Sequence, residues 1–580
     1  MADAVLTSVI ANRLRAIGER MGLVVERSAR SPLLVEGRDF SLGIYDADGV
    51  LLEQTEYIPV LGYATAPGMR AIAQAFAGDV HEGDIVLHND PYTGGNQLSD
   101  WKVAKPVFHE GEQFGWVVIA AHQADVGGAV PGSYNPNATD LWQEGLRITP
   151  LKLYDRGVRR DDVWNFVFGN VRLDVVADDV SAMIGSCTVG ERELKALLAR
   201  YGIETVRAAT ASLLDAAEQA ARAVISTIPD GVYDAEWYVH DDGIDHDLTA
   251  TIRVEVTVAG ESLRFDFGRT DPQVAGYVNA PLAVTISSVM IAFFMIADRD
   301  LPHNDGIMRC IEVVAPEGCL VNPRFPAPTG FGNHLSDQIA AVIMMALAPA
   351  VPRQVTACWN HLLAAVVAGV SSRTGAPYVD ILINACKGGG GGTWGADGYD
   401  HIGLITSGGA IAAQDPEMFE VVNPHFLRRF EYLTDSAGAG RWRGGLGVET
   451  EFVFEDGGVQ ASVFGDGGTP ETAAFGILGG GPGCANSIEF RYPDGSVLRP
   501  RLKDLVSDIP AGTVYHQVAG GGGGYGDPRE RPAERVLEEV RNGVISLASA
   551  RTDYGVAIDP ETWTIDDRAT AELRAGTDPG

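Results

Sequence analysis

The stretch FSLGIYDADGVLLEQ, residues 40–54, predicts a β-hairpin near the start of the chain. Apolar and polar residues alternate on both sides of Asp48-Gly49, and this dipeptide supplies the positive φ that a two-residue hairpin turn requires. Further strands are expected at IVLHND, WKVAKPVF and FGWVVIAAH, with a glycine-rich turn over residues 92–96. The N-terminal part of the chain therefore predicts a sheet in which two strands end in polar clusters.

Helical periodicity surrounds this sheet. Apolar residues recur at helical spacing over 1–25, 66–77 and 155–225, and buried helices are expected over 280–300 and 335–350. Strand-like alternation returns over 230–270, and the last third combines strands with glycine loops before the helix PAERVLEEVRNG. These patterns predict a mixed, multi-domain α+β fold with β-rich glycine-loop regions.

A chain of 580 residues is long enough for several compact units. We expect five segments with distinct characters. They are an N-terminal α/β region with the active site at 1–154, a helical segment at 155–228, a central α+β region at 229–400, a β-rich glycine-loop region at 401–530, and a C-terminal helix and tail at 531–580.

Composition narrows the classes of partner. The 77 acidic residues against 44 Lys and Arg give a net charge of −33, which repels phosphate backbones and anionic lipids. We therefore expect neither a nucleic-acid nor a membrane partner. The 6 cysteines are scattered without metal-binding spacing, and no window of about 18 uncharged apolar residues occurs, so a cytoplasmic protein is expected.

Two glycine runs, at 388–392 and 520–524, invite comparison with phosphate-binding loops. Neither run is followed by the Lys-Ser/Thr pair of a P-loop, and neither has spaced G-x-G-x-x-G glycines. We interpret them as tight backbone crossings and expect no nucleotide-binding residue in this chain. Any ATP chemistry then requires another protein chain.

Residues 87–148 carry the densest set of groups suited to chemistry. Imidazoles and carboxylates serve as metal ligands and as general acids and bases. Asp100 and His122 lie near the ends of neighbouring predicted strands, so their side chains can meet, and Asp39 can join them. The alternative is a purely structural role, because the same residue types are common in turns and helix caps. His303, His334, His361 and His401 lack such company and are expected in the core or at the surface. The polar set is His88, Asp90, Gln97, Asp100, His122, Gln123, Asp125 and Glu144.

A co-linear series of motifs from about residue 39 to 555 resembles the hydantoinase B/oxoprolinase family. The series comprises NDPYTGGNQLSD, AAHQADVGG, PGSYNPNATDLWQEGLRITPLKLY, VNAPLAV, IEVVAPEGCLVNPRFPAP, GRWRGGLGVE and GGGGYGDPRERPAERVLEEVRNGVISLASARTDYGV. Members act in ATP-dependent hydantoinases, oxoprolinases, lactamases and ketone carboxylases. The resemblance implies a hetero-oligomer in which an A-type partner binds ATP and phosphorylates a carbonyl oxygen.

The resemblance also implies the site residues. Asp39, Asp100 and His122 are expected to be catalytic and, in metal-bearing members, to bind Mn or Zn. Gln97 stands where those members have a histidine ligand, which weakens any such site because a neutral amide is a poor substitute for imidazole. The second His of the usual His-His pair is likewise replaced, by Gln123. The expected substrate-binding residues are Gln97, Gln123, Asp125, Tyr92 and Trp101.

The departure at Gln97 bears on the reaction. A hydrolase must activate water, for which the loss of a metal-binding imidazole is costly. We therefore expect a carboxylase that joins an acetophenone-like ketone to bicarbonate, with aromatic contacts from Tyr92, Trp101, Tyr134 and Trp142 unless these merely pack strand ends. The alternatives are an ATP-dependent cyclic amide hydrolase and a non-catalytic scaffold subunit of such a complex.

Overall fold

The structure, a computed structural model, describes residues 4–297 and 301–576. The N-terminal part alternates helices and strands around one antiparallel sheet. Its elements are α1 (Ala4–Ser28), α2 (Pro32–Val35), β1 (Phe40–Asp46), β2 (Leu51–Glu56), α3 (Pro59–Ala75), β3 (Ile85–His88), β4 (Asp100–His109), β5 (Glu112–His122), β6 (Leu151–Asp155) and β7 (Val158–Arg159).

These strands form a seven-stranded sheet in the order β2-β1-β5-β4-β3-β6-β7. The expected hairpin is confirmed, since β1 pairs antiparallel with β2 and the register places Ile44 opposite Glu53. The helix expected over 66–77 is longer at its start, because Pro59 occupies the first turn and Pro67 lies inside the helix. A proline in the first turn is tolerated, so Pro59 rather than Pro67 marks the start.

Helices cover both faces of this sheet. α3 packs Met69 and Ile72 against Trp116 and Val118 on one face. The other face, which includes Trp101, is covered by α1 and by the following helical segment. That segment, expected over 155–225, comprises α4 (Asp161–Phe168), α5 (Val175–Tyr201) and α6 (Ile203–Ile225). It shares its apolar core with the sheet.

A second, four-stranded sheet in the order β11-β10-β9-β8 follows. Two apolar helices pack with it in the largest apolar core of the described residues. The helices expected over 280–300 and 335–350 are present as α7 and α8, and residues 298–300 lie outside the described part of the chain. The elements are β8 (Gly231–His240), β9 (Thr249–Ala259), β10 (Ser262–Asp266), α7 (Leu282–Ile296), β11 (Ile311–Val314) and α8 (Leu335–Leu347).

The C-terminal third contains two further sheets, in the orders β13-β12-β16-β19 and β14-β15-β20-β17-β18. The elements are β12 (Leu363–Val370), β13 (Pro377–Ile381), α9 (Pro416–Val422), β14 (His425–Tyr432), β15 (Val448–Phe454), β16 (Val459–Gly465), β17 (Ser487–Arg491), β18 (Val497–Leu498), β19 (Lys503–Ile509) and β20 (Val514–Ala519).

The two glycine runs cross each other at close range. The backbone nitrogen of Gly389 donates to the oxygen of Gly520 at 3.0 Å, and that of Gly392 donates to Gly523 at 2.9 Å. A Cβ atom on Gly522 would lie 2.0 Å from the backbone oxygen of Gly390. Glycine is required here because two backbones approach without room for side chains, as the sequence predicted.

The chain closes with α10 (Ala533–Arg541), α11 (Leu547–Thr552), β21 (Ile558–Asp559), β22 (Thr564–Ile565) and α12 (Asp567–Arg574). The expected C-terminal helix corresponds to α10, and residues 1–3 and 577–580 lie outside the described residues. Among those described, no helix is both long and apolar enough to cross a lipid bilayer. The α+β class is confirmed, whereas the boundaries of the five segments stay a prediction.

Candidate active site

The central pair of the site comes from two adjacent strand ends. Asp100 is the first residue of β4 and His122 the last of β5, and the strand register places their Cα atoms opposite each other. Nδ1 of His122 donates to Oδ1 of Asp100 at 2.8 Å, and both residues are buried. The meeting predicted from sequence is therefore present.

Asp39 joins this pair through the backbone and by charge. Its carbonyl oxygen accepts a hydrogen bond of 3.1 Å from the nitrogen of His122, directly before β1 begins. Burial raises the pKa of the Asp39 carboxyl to about 6; the charge of His122 opposes this rise and that of Asp100 adds to it. All three residues line one cavity.

His122 is tuned by opposing influences. Burial disfavours the imidazolium, but the hydrogen bond and charge of Asp100, with a smaller effect of Asp39, outweigh burial and raise the pKa of His122 above its ordinary value. Nδ1 is engaged by Asp100, and the hydrogen bonds of His122 to the described residues use Nδ1 or the backbone nitrogen. Nε2 is therefore the atom available to a ligand.

Gln97 closes the polar end of the cavity. Its Nε2 donates to Oδ1 of Asp100 and to the hydroxyl of Tyr134, each at 3.3 Å, and lies 3.3 Å from Nδ1 of His122. The Tyr134 hydroxyl in turn donates to Nε2 of His334 at 3.0 Å. Burial lowers the pKa of His334 to about 3, and the nearby His122 adds to this, so His334 accepts as a neutral imidazole.

The rest of the cavity is lined by aliphatic residues together with the neutral polar side chains of Asn333, Ser336, Thr406 and Ser407. About 70 Å³ is open to the centres of water-sized molecules, enough for a small ligand. Tyr134 forms one wall and stacks on Phe464 with ring centroids 3.9 Å apart. Other apolar lining residues are Leu33, Ile58, Val60, Leu61, Leu362, Ile381, Ile383, Leu404 and Ile411.

Several expected substrate-binding residues lie outside the cavity. Because neighbouring residues in a strand face opposite sides of a sheet, Trp101 points away from Asp100 into the helix-covered core. The side chain of Gln123 donates to the Ala121 oxygen and contacts the Met183 sulfur. Trp101 and Gln123 were expected to contact the substrate, but their side chains do not line the cavity.

Two further expected residues hold loops together. Asp125 accepts from the nitrogens of Gly127 and Gly132 and pairs with Arg172. The Tyr92 hydroxyl donates to the Ala327 oxygen at 2.6 Å. Neither side chain lines the cavity, so the structure places them in loop packing.

The remaining polar residues of residues 87–148 are also structural. His88 contacts the Thr93 hydroxyl, Asp90 pairs with Arg147, and Glu144 accepts from the nitrogens of Thr329 and Gly330. Trp142 is exposed and meets Phe325 rather than the cavity. Each serves the loops next to the sheet.

Sequence reasoning missed His334, which was expected in the core or at the surface and instead lines the cavity. It directly precedes α8, some 200 residues after Tyr134, and no local pattern sets it apart from the other histidines. His303, His361 and His401 do not line the cavity, as expected.

The donor set does not fit a Mn or Zn ion. Among the described side chains, the one group of three His, Cys, Asp or Glu residues with ligand atoms all within 4.8 Å is His81, Asp84 and Asp155, which lies elsewhere and contacts Lys152. Asp39, Asp100 and His122 are thus not gathered around one point. The Gln97 amide donates into the pair where an ion would need acceptors.

Comparison with known proteins places the site in context. The family model "Hydantoinase B/oxoprolinase" matches residues 3–528. The beta subunit of the caprolactamase of Pseudomonas jessenii is 34% identical over 99% of both chains, and the crystal structure of the ATP-dependent caprolactamase of that organism superposes with a TM-score of 0.92 at 33% identity over 99% of this chain and 100% of that one.

Two other relatives are similar along nearly the whole chain. The B chain of a putative D-/L-hydantoinase of Pseudomonas sp. (strain NS671) is 32% identical over 99% of this chain and 98% of its own. An acetone carboxylase structure has a TM-score of 0.91 at 20% identity, covering 99% of this chain and 83% of that one. The last similarity shows a shared fold.

Proposed function

The chain belongs to the hydantoinase B/oxoprolinase family, and from that premise we propose that it is the B-type subunit of an ATP-dependent enzyme that opens a small, neutral cyclic amide. Relatives named as subunits of caprolactamase and hydantoinase support an A-type partner that uses ATP. The complex is a hetero-oligomer, and ATP reaches the reaction through that partner.

The chemistry of the cavity lining is the observation that carries the proposal. Among the described residues that line it there is no Lys or Arg, and aliphatic side chains are the most numerous class. Lys102 lies on the same face of β4 as Asp100, but it is buried beneath Gly68 and is not part of the lining. A substrate carboxylate would lie near the carboxyl groups of Asp39 and Asp100 with no Lys or Arg to pair with, which is costly, whereas a neutral saturated ring suits the aliphatic part of the wall.

The Asp100–His122 pair then supplies acid-base catalysis. Once the partner has phosphorylated the amide oxygen, water must add to the activated carbon and the ring nitrogen must leave. His122 takes a proton from water through Nε2, and the resulting imidazolium, stabilised by Asp100, returns a proton to the departing nitrogen. The pair needs no metal ion for these transfers. Its intact hydrogen bond also argues against a purely structural scaffold.

Gln97 favours a second candidate, the carboxylase of an acetophenone-like ketone that the sequence alone favours. A neutral amide can orient bicarbonate or an oxyanion in a site that excludes water. The aliphatic part of the lining and the 34% identity to a caprolactamase chain support the cyclic amide as the first candidate.

The test uses the chain purified with its A-type partner. Neutral lactams and hydantoins, 5-oxoproline, and acetophenone with ¹⁴C-bicarbonate are compared for ADP release and product. We expect ring opening of a neutral cyclic amide, with kcat/KM at least about 100-fold above that for 5-oxoproline, because its carboxylate would be buried unpaired. Incorporation of ¹⁴C without ring opening would instead support the carboxylase.

A further inference from the structure

A second, smaller cavity adjoins the first on the other side of His122 and Tyr134. It leaves about 30 Å³ for the centres of water molecules. The two cavities share Leu33, His122, Tyr134, Ile381 and Ile383. His122 therefore faces both an aliphatic chamber and a separate small compartment.

Ser31 and Asp380 bring polar atoms to this compartment. Ser31 is 2% exposed and precedes α2; its hydroxyl does not cap the helix and lies beside the carboxyl of Asp179. Asp380, on β13, is 7% exposed, and its Oδ2 has no partner in the described part of the chain. Both side chains line the small cavity.

Unpaired buried polar atoms are costly, at about 1–3 kcal/mol each, and native proteins seldom retain them. A cavity holds a water molecule when it offers roughly 10–15 Å³ to the water centre and two or more polar partners. The compartment meets both conditions through Ser31, Asp380 and His122. A carboxyl, a hydroxyl and an imidazole around so small a space are typical of a water site rather than a site for an organic group.

We propose that this compartment holds the water consumed in ring opening, with Ser31 and Asp380 as the residues that position it against His122. The inference rests on the proposed function, because only a hydrolase consumes water. Access from the side opposite the aliphatic chamber would let water reach the activated carbon without passing through the space that the ring occupies.

The step that this water makes is an addition. Its oxygen forms a bond to the carbon of the O-phosphorylated amide, the C=N π electrons move onto nitrogen, and one water proton passes to Nε2 of His122. The proton held by His122 passes to nitrogen, and the C–N bond then breaks as the remaining hydroxyl proton also moves to nitrogen and the C–OH becomes C=O. The products of this step are a free amine and an acyl phosphate, which a further water cleaves to carboxylate and phosphate. No oxidant or reductant takes part.

The chemistry of Asp380 suits this role. Burial raises the pKa of its carboxyl to about 8, with a further effect of the charge on Glu36, so the group is neutral at pH 7. A neutral carboxyl both donates and accepts hydrogen bonds, and it adds no further negative charge to the site. The amide of Asn offers the same donor and acceptor in nearly the same shape.

The test measures Asp380→Ala, Ser31→Ala and Asp380→Asn in the complex with the A-type partner. We expect Asp380→Ala to lower kcat for ring opening by about 10- to 100-fold with KM nearly unchanged, since water is misplaced while the ring still binds. Asp380→Asn should restore most of kcat. Hydroxylamine, a nucleophile that brings its own donors, should displace phosphate from the O-phosphorylated amide and give the cyclic N-hydroxyamidine at the wild-type rate in every variant.

Asp456→Ala is the matched control, because Asp456 is 5% exposed, has an unpartnered Oδ2 among the described residues and lines neither cavity. It should leave the ratio of hydrolysis product to N-hydroxyamidine unchanged. An unchanged ratio in both Asp380→Ala and Ser31→Ala would overturn the inference while ring opening by the wild type stands. A wild-type complex that opens no cyclic amide would overturn the proposed function and this inference with it.

Discussion

Burial and two carboxyl groups act on the proton of His122, and the balance among them sets how the site responds to pH. Asp100 raises the pKa of His122 against the effect of burial, with Asp39 adding to the rise. The same interaction stabilises the folded protein at pH values below the pKa of an unfolded histidine, and this stabilisation is lost as the pH rises through the higher folded value. A general base at this position works only when neutral.

We therefore expect kcat/KM to rise with pH through a value above 6.5, the ordinary pKa of histidine. Asp100→Asn removes the charge that raises the pKa of His122, so burial then dominates. The rising limb should move to lower pH, with a lower plateau. A pH profile measured on the assembled complex checks this, and an unmoved limb in Asp100→Asn would contradict the assignment.

Replacing His122 by Ala should lower turnover by at least about 100-fold, because a general acid and base is lost, while the complex stays assembled. Gln123→Ala changes the next residue, whose side chain points away from the cavity, and should retain most of the activity. Size-exclusion chromatography and steady-state assays test both variants. Near-normal turnover in His122→Ala would move the reaction elsewhere.

The metal content of the protein tests whether Gln97 acts as a metal ligand. We expect the natural chain to carry well under one Mn or Zn per molecule, because the amide donates to Asp100 instead of offering a charged or imidazole ligand. Gln97→His should raise the occupancy, and Gln97→Asn, which keeps the amide, should not. Elemental analysis decides; close to one ion per natural chain at this site would show that Gln97 is a working ligand.

At the scale of elements, α3 lies over the polar loop that precedes β4, and two glycines allow the contact. Gly94 has a φ of +96°, and a Cβ there would lie 2.2 Å from the backbone nitrogen of Gly68 in α3. The contact holds the loop that carries Gln97 against the helix. The loop is thus positioned by backbone packing as well as by hydrogen bonds.

Gly94→Ala should therefore destabilise the protein by several kcal/mol, since it combines positive-φ strain with a backbone clash. Gly78→Ala is the control, because Gly78 has a φ of +81° but a Cβ there meets nothing within 4 Å. It should cost only about 1 kcal/mol. Denaturant unfolding of the two variants measures the difference; equal losses would show that the helix-loop contact contributes nothing.

At the scale of the whole molecule, the two glycine runs bear on whether this chain binds ATP. Their backbone groups are engaged with each other, as in the bond from Gly392 to Gly523, and are not free to hold phosphates. We expect the isolated chain to bind ATP with no measurable affinity in the micromolar range and to turn over substrate only with its A-type partner. Titration calorimetry of the chain alone tests this, and micromolar binding would contradict it.

Local sequence determined much of the site because its central pair is local. Asp100 and His122 end two strands joined by one short turn, so their meeting follows from hairpin geometry and the alternation of residues. The same alternation implies that Trp101 cannot face the side that Asp100 faces, a signal that was present in the sequence. The glycine crossings and the α+β class likewise followed from composition and periodicity.

Only the tertiary structure decided what surrounds that pair. His334 directly precedes a helix and Phe464 lies near the end of a strand, and both contact Tyr134 from a distant part of the chain. Asp380 lies in a third sheet and lines a cavity together with His122 and Tyr134. Contacts at such separation depend on how layers pack, which no periodicity of 2 or 3.6 residues encodes. The chain thus specifies the Asp100–His122 pair by local pairing, and the walls of the cavity by long-range packing.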